Sequence, residues 1–329
     1  MLLRKLVVIS ANLFFAVLLV AACLSIYFIY QTELPNKLKE DKVILIKQGS
    51  SIRAIANKLT AEEIVNNHLV FLLKAKLANK SNQLKAGEYK FVAGLSVNKV
   101  IELLQSGKTH SYNITFPEGI TSVEVIELIN NNKILSGDNI KESPAEGSLL
   151  PETYHFSRND TKQDIIKRMQ KAMNGAIDSI WETRQTNLPI KTKEEALILA
   201  SIIEKETSIA EERAKISGVF INRLNIGIAL QTDPTVIYAI TKGKKKLNRS
   251  LTYNDLKIKS PYNTYVVRGL PPAPIANAGI DSIKAAVNPE THKYLYFVAD
   301  GTGGHVFAKS LKEHNRNVAK WRKIKRSKK

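Results

Sequence analysis

From Leu6 to Tyr30 the chain runs 25 residues without one charged side chain. A hydrocarbon core about 30 Å thick needs roughly 20 apolar residues in a helix rising about 1.5 Å per residue, so this run is long enough to cross a membrane once. Arg4 and Lys5 precede it. The positive-inside bias then keeps residues 1–5 in the cytoplasm and sends everything after Gln31 to the other side. Tyr27, Phe28 and Tyr30 fit an interfacial belt at the exit. A cleaved signal peptide has a shorter apolar region, about 7–15 residues, followed by a small-residue cleavage site. Val20-Ala21-Ala22-Cys23 resembles the box of a lipoprotein, whose cysteine would carry lipid. The stretch from Leu24 to Tyr30 stays apolar, however, where a lipidated mature end is polar, and a transmembrane helix over 6–30 is preferred.

Beyond this segment the chain reads as a folded, extracytoplasmic protein. A hydrophobic fraction of 44% with 24% charge supports a buried core, and 329 residues suggest about two domains. The single cysteine excludes a disulfide framework and a cysteine-rich zinc site. The 49 Lys+Arg against 30 Asp+Glu give +19, which suits an anionic polymer or lipid surface. Nucleic acid is excluded as partner by the topology and by the lack of a recognisable RNA or DNA motif.

Residues 31–41 are polar with one proline and read as a stalk. Three later segments repeat one plan, an apolar strand, a glycine, then Ser or Thr two residues on opening an amphipathic helix. They begin at Val43, Tyr89 and Tyr112, turn at Gly49, Gly94 and Gly119, and place Ser51, Ser96 and Thr121 as helix caps. Glu124, three past Thr121, makes a capping box. The first two units, with a helical stretch from Ala61 to Leu77 between them, form a small βααβ module over 42–110 that is similar to LysM-type glycan-binding domains. The same pattern occurs in small α+β domains that bind nothing. A further helix is expected from Lys162 to about Gln185.

Thr192, with Glu195 three residues later, opens a helix read as continuous to about Leu224. Its apolar residues at 199, 202, 203, 209, 216, 219 and 220 share one stripe. Glu204 and Glu206, two apart, point about 200° apart. Glu206 falls among Ile202, Ile203, Ile209 and Ala210, whereas Glu204 faces Ala200, Ser201 and Ser208 on the polar side. A carboxylate on an apolar surface loses hydration, so its pKa rises toward the working pH, which is what a general acid needs. The residues equally allow a structural glutamate paired with Arg213 or Arg223.

The segments ASIIEKETS, FINRLNIGIALQTDPTVIYAI, SPYNTYVVRGLPPAPIANAGIDSIKAAVNP and YLYFVADGTGGHVFAKSLKEHN, in that order, resemble the YceG-like family of endolytic murein transglycosylases. The resemblance runs from the anchor to about Asn315. It implies an α+β protein with one N-terminal transmembrane helix in the inner membrane, a LysM-like subdomain, and a mainly helical plus β periplasmic catalytic domain over 111–318. The implied reaction cleaves the β-1,4 bond between N-acetylmuramic acid and N-acetylglucosamine in nascent peptidoglycan strands. The muramic C6 hydroxyl attacks in place of water, giving a 1,6-anhydro end and limiting strand length. Glu206-Thr207 looks like the Glu-Ser pair of soluble lytic transglycosylases, so Glu206 is the expected catalytic residue. Other glycosidases use a second carboxylate about 5–9.5 Å away; here one glutamate serves as acid and then as base, and neither cofactor nor metal is implied. Glycan strands are the expected substrate, with peptidoglycan synthases as candidate partners.

The expected substrate-binding residues are Gln231, Thr232 and Asp233, in a loop resembling the glutamine-bearing loop of related lytic enzymes, and Tyr262, Asn263 and Tyr265, an aromatic and amide combination suited to sugars. Asp233-Pro234 also reads simply as a helix start, with Asp as cap and Pro at the first position. His305 and His314 are too few and too far apart for a metal set, and His155 and His305 read as satisfied structural histidines. Where the family usually has proline, this chain has Ala278. Residues 319–329, seven of the eleven being Lys or Arg, read as a solvated tail resting on anionic lipid or wall polymer. The alternative function is a non-catalytic, membrane-anchored peptidoglycan-binding scaffold, which would have no use for a desolvated carboxylate.

Overall fold

The computed structural model describes residues 2–78 and 83–327, and side chains from Val8 to Arg326 within them. Met1 and the last two residues of the expected basic tail lie outside the described residues. The chain divides into two compact units, 1–112 with 157–159, and 113–156 with 160–329.

In the first unit, α1 (Leu2–Glu33) is long and apolar enough over Val8–Glu33 to cross a membrane. The order β1 (Lys42–Ile46), α2 (Ile52–Ala61), α3 (His68–Leu77), β2 (Gly87–Phe91) comes next. The two strands pair antiparallel from Lys42↔Phe91 to Ile46↔Gly87, and α4 (Val97–Ser106) closes the unit. Phe71, Tyr89, Phe91, Leu59 and Leu104 fill its core. The expected 61–77 helix starts later, because α2 ends at Ala61, residues 62–67 are non-helical, and the Asn67 side chain accepts the Leu69 N–H to start α3 at His68. Residues 31–41 also differ from a free stalk. The helix continues to Glu33, Leu38 joins the hydrophobic core, and the Asn36 amide spans the Val92 carbonyl and the Gly94 N–H.

The three glycine turns appear as read, with φ of 76°, 84° and 74° at Gly49, Gly94 and Gly119, a left-handed conformation costly for a side chain with Cβ. Ser51 and Thr121 cap their helices through the side chain, Thr121 in a full capping box with Glu124. Ser96 holds the cap position without a side-chain bond.

In the second unit, β3 (Tyr112–Thr115, its first residue at the unit boundary) pairs with β4 (Thr153–Phe156), and α5 (Ser122–Asn131) lies between them in sequence. Then come α6 (Lys162–Glu182), α7 (Lys193–Glu206), α8 (Ala210–Asn225), α9 (Asp233–Thr241), α10 (Ile280–Val287), the antiparallel hairpin β5 (Tyr296–Ala299) and β6 (His305–Ala308), and α11 (Leu311–Ser327). Ile202, Ile203, Phe220 and Val287 are buried where α7, α8 and α10 meet. Gly218 lets α8 approach the chain beyond α10. A Cβ there would stand 2.4 Å from the Glu290 carbonyl oxygen, backbone that cannot step aside.

The structure corrects two expectations. The helix opened by Thr192 is not continuous to Leu224. It stops at Glu206, where the Thr207 hydroxyl accepts the Ile209 N–H, and α8 restarts at Ala210. Ile209 and Ala210 therefore are not helical neighbours of Glu206. The tail after residue 318 is solvated as expected, its basic side chains through Arg326 being exposed, but it is not a separate segment. Through Ser327 it is the continuation of α11, which packs on β5 and β6.

Candidate active site

Glu206 is the last residue of α7, which delivers it to a cavity of about 510 Å³. Arg223, Gln231, Asp233, Tyr265, Tyr296, Phe297, His314, Trp321 and Arg322 share its wall. Part of Glu206 is reached from the cavity, but its carboxyl lies deep among protein atoms. The loss of hydration pushes its pKa up to about 7, with the nearby Asp233 charge adding to the rise. Against it act a hydrogen bond from the Thr232 hydroxyl to Oε1 and, weakly, His305 and Arg223. Glu206 makes no ion pair with any described residue. A carboxyl that is half protonated near pH 7 can both give and take a proton.

The loop before α9 is held tightly. Gln231 adopts φ +48°, a strained value for a non-glycine residue, and faces the cavity. Its N–H donates to the Thr264 carbonyl, the Thr232 N–H to Thr264 Oγ1 at 3.1 Å, and Thr235 Oγ1 is 2.8 Å from the same hydroxyl. Thr232 is the cap of α9, so Asp233 and Pro234 stand one position further in than the Asp-cap reading. The Tyr265 hydroxyl donates to Asp233 Oδ1 at 2.7 Å, and burial together with that carboxylate pushes the phenol well above its ordinary range.

Of the six residues read as sugar-binding, Gln231, Asp233 and Tyr265 line the cavity with Glu206, and Thr232 touches its carboxylate. Asn263 and Tyr262 do not line it. Asn263 is fully buried, its amide donating to the Leu256 and Ile258 carbonyls and accepting the Tyr265 N–H. Tyr262 packs on Tyr238, ring centres 4.9 Å apart, under the Lys242 ammonium. Asn263 thereby fixes the backbone that carries Tyr265.

Arg223, weighed as a salt-bridge partner for Glu206, instead spends its donors on the carbonyls of Leu295 (2.6 Å), Ala229 and Leu230 (2.8 Å), with its guanidinium over the Tyr296 ring. Arg213 goes to the other glutamate. Glu204 is not on a polar face, because its side chain is only 6% exposed, its Oε2 accepts the Gly279 N–H at 3.0 Å and Oε1 lies 4.0 Å from Arg213 Nη2. Glu118 and Asp281 also approach that guanidinium, at 3.4 and 3.9 Å, and lost hydration with the Glu204 charge pushes Glu118 up. His305 is held by Glu212, Nδ1 to Oε2 at 2.7 Å. Among the described residues no group of three or more His, Cys, Asp or Glu is placed to hold a metal.

The chain is similar to known proteins. A family model described as the YceG-like family matches residues 44–320. The chain belongs to the YceG-like family. An endolytic murein transglycosylase of Bacillus subtilis is 36% identical over 330 residues, covering 89% of both chains. One of Streptococcus pneumoniae is 30% identical over 363 residues, covering 96% of this chain, which in turn spans 65% of that longer protein. Among solved family structures, a crystal structure of a yceG-like protein from Listeria monocytogenes matches with a TM-score of 0.51 at 33% identity, covering 85% of this chain and 99% of that one.

Neither the Arg223 carbonyl clamp, nor Thr264, nor the contribution of α11 was reached from the sequence. A signal for α11 existed. Leu311, His314, Val318 and Trp321 recur at helical spacing inside the charged run.

Proposed function

We propose that this chain is an endolytic lytic transglycosylase of peptidoglycan and that Glu206 carries the chemistry. Protonated Glu206 gives its proton to the glycosidic oxygen leaving the muramic C1. The muramic C6 hydroxyl then bonds to C1, and its proton returns to Glu206, so the carboxyl ends as it began and no water is consumed. The support is one observation, a desolvated carboxyl with no cation paired to it and a pKa near 7, opening on a cavity lined by Gln231, Asp233 and Tyr265. Those three are the residues proposed to bind the sugar, while Thr232, read from the sequence as a fourth, is buried behind them with its hydroxyl on the Glu206 carboxylate. The negative Asp233 beside the cavity favours the oxocarbenium-like charge at C1. A non-catalytic scaffold would leave that carboxyl without a use. The deciding experiment is mass spectrometry of products from purified wall glycan. The 1,6-anhydromuramic ends are expected, and reducing ends formed with water would refute the mechanism.

The finer reading places α1 across the inner membrane once, with the N-terminus cytoplasmic and the remainder periplasmic. A reporter fused after Lys329 is then active only outside the cytoplasm, and Cys23→Ser leaves the protein in the membrane. Within the first unit, a groove of about 690 Å³ between Leu45–Ser50 and Leu84–Gly87 supports LysM-like glycan binding. Loss of glycan pull-down on substituting groove residues, with cleavage retained, tests it.

A further inference from the structure

The last helix brings a set of side chains to the cavity that the proposed chemistry does not use. His314, Val318, Trp321 and Arg322 of α11 stand in the same wall as Glu206. His314 stacks on Tyr296, ring centres 5.2 Å apart, and its buried Nδ1 has no hydrogen-bond partner among the described residues. Burial and the Arg223 charge hold that imidazole below its ordinary pKa, so it stays neutral near pH 7. Two guanidiniums border the cavity. Arg223 gives its Nε and Nη1 to backbone carbonyls, which fixes its plane over Tyr296, whereas Arg322 is exposed and makes no ion pair with any described residue. A guanidinium with free donors is suited to a planar carboxylate, which it meets through two parallel N–H bonds. Trp321 beside it offers an aromatic surface of the kind on which sugar rings lie.

We infer that α11 is a wall of the glycan cleft, in which Arg322 binds a carboxylate carried by the muramic residue at the cut and Trp321 supports the sugar that bears it. This rests on the reading of Glu206 as a glycan-cleaving acid and adds to it the origin of selectivity for muramic over plain N-acetylglucosamine strands. The carboxylate has two sources in the polymer, the lactyl group once its peptide is removed, or the stem peptide itself.

The test uses the full membrane protein and measures kcat and KM separately for wild type, Arg322→Gln, Arg322→Lys and Trp321→Ala. The substrates are peptide-bearing strands, amidase-stripped strands with free lactyl carboxylates, and stripped strands whose carboxylates are methyl-esterified. Arg322→Gln is expected to raise KM roughly tenfold with kcat nearly unchanged, the signature of lost ground-state binding, and Arg322→Lys to recover part of it. A loss on stripped strands assigns the lactyl carboxylate, a loss on peptide-bearing strands alone assigns the stem peptide, and either supports the inference. The Trp321→Ala variant is expected to raise KM on all three substrates, esterified strands included. An unchanged KM for both substituted positions, or an equal rise for Arg322→Gln on esterified strands, overturns it while leaving Glu206 in place. Wild type that cuts none of the three overturns the reading of Glu206 itself.

Discussion

The final turn of α7 carries two carboxylates in two kinds of burial. Around Glu204 the protein supplies what a charge needs, the Gly279 N–H and the Arg213 guanidinium. Around Glu206 it supplies one hydroxyl and, among the described residues, no cation in an ion pair, and the pKa climbs to about 7. Depth alone therefore does not distinguish a structural acid from a reactive one. Both are removed from solvent, and what separates them is whether the surroundings stabilise the charged form.

Exchanging the two acids for amides is the strongest attempt to break that contrast. Glu206→Gln keeps size and hydrogen bonding but has no proton to transfer. Cleavage is expected to fall about 10²–10⁴-fold or more, with an unchanged circular dichroism spectrum. Glu204→Gln is expected to keep most of its activity in the folded fraction. Activity lost only in Glu204→Gln would assign the chemistry to the other acid.

The paired site answers to removal of its cation. Arg213→Met leaves Glu204 buried with no positive partner, and Glu118 and Asp281 close by. A loss of about 3–5 kcal/mol in denaturant unfolding is expected at neutral pH. Part of that loss should return under acid, as the carboxyls protonate. A variant as stable as wild type would mean that Glu204 is held by the Gly279 N–H alone.

Much of this contrast was hidden from the sequence for physical reasons. Helix caps are local, so Ser51, Thr121 and Thr192 were readable, as were the glycine turns. The stripe that singles out Glu206 in the sequence presupposes a helix that continues past it. Thr207-Ser208-Ile209 contains neither Gly nor Pro, and a break made by a threonine hydroxyl leaves no such mark. Glu204 is held by the Gly279 N–H, and its partner Arg213 is also approached by Glu118 and Asp281; these three lie more than seventy residues from Glu204, and no periodicity reports on contacts of that range. Asn263 and Tyr262 looked like sugar ligands because amide and aromatic side chains serve cores and clefts alike. Only the carbonyls of Leu256 and Ile258 show which role Asn263 has.

The unpaired site should also make stability depend on pH. A carboxyl near 7 when folded and near 4.5 when unfolded binds more protons in the native state between those values. Stability contributed by this group therefore falls as pH rises from about 4.5 to 7, by at most about 3 kcal/mol, and stays low above that. Glu206→Gln removes the group. The difference in unfolding free energy between variant and wild type should then grow through this window, leaving the variant the more stable at pH 8. A flat difference would mean that the Glu206 charge is compensated after all.

The smallest effect concerns the one hydroxyl. Thr232 donates to the Glu206 carboxylate and so favours its charged form, opposing the desolvation that raises the pKa. Thr232→Val keeps the shape of the side chain and leaves the backbone N–H to Thr264 in place, so the loop and its strained Gln231 should hold. With that support gone, the charged form becomes harder to reach. The alkaline limb of the pH–rate profile, where the acid is lost, is expected to move upward by roughly one unit or less, a neutral hydrogen bond being worth about 1 kcal/mol net. Turnover near pH 8 should gain accordingly, while the return of the C6 proton to a less stable carboxylate is made easier. A limb that moves downward would mean that Thr232 stabilises the protonated acid instead, accepting a proton from Glu206 rather than donating one to it, and the direction of that single bond would have to be reversed.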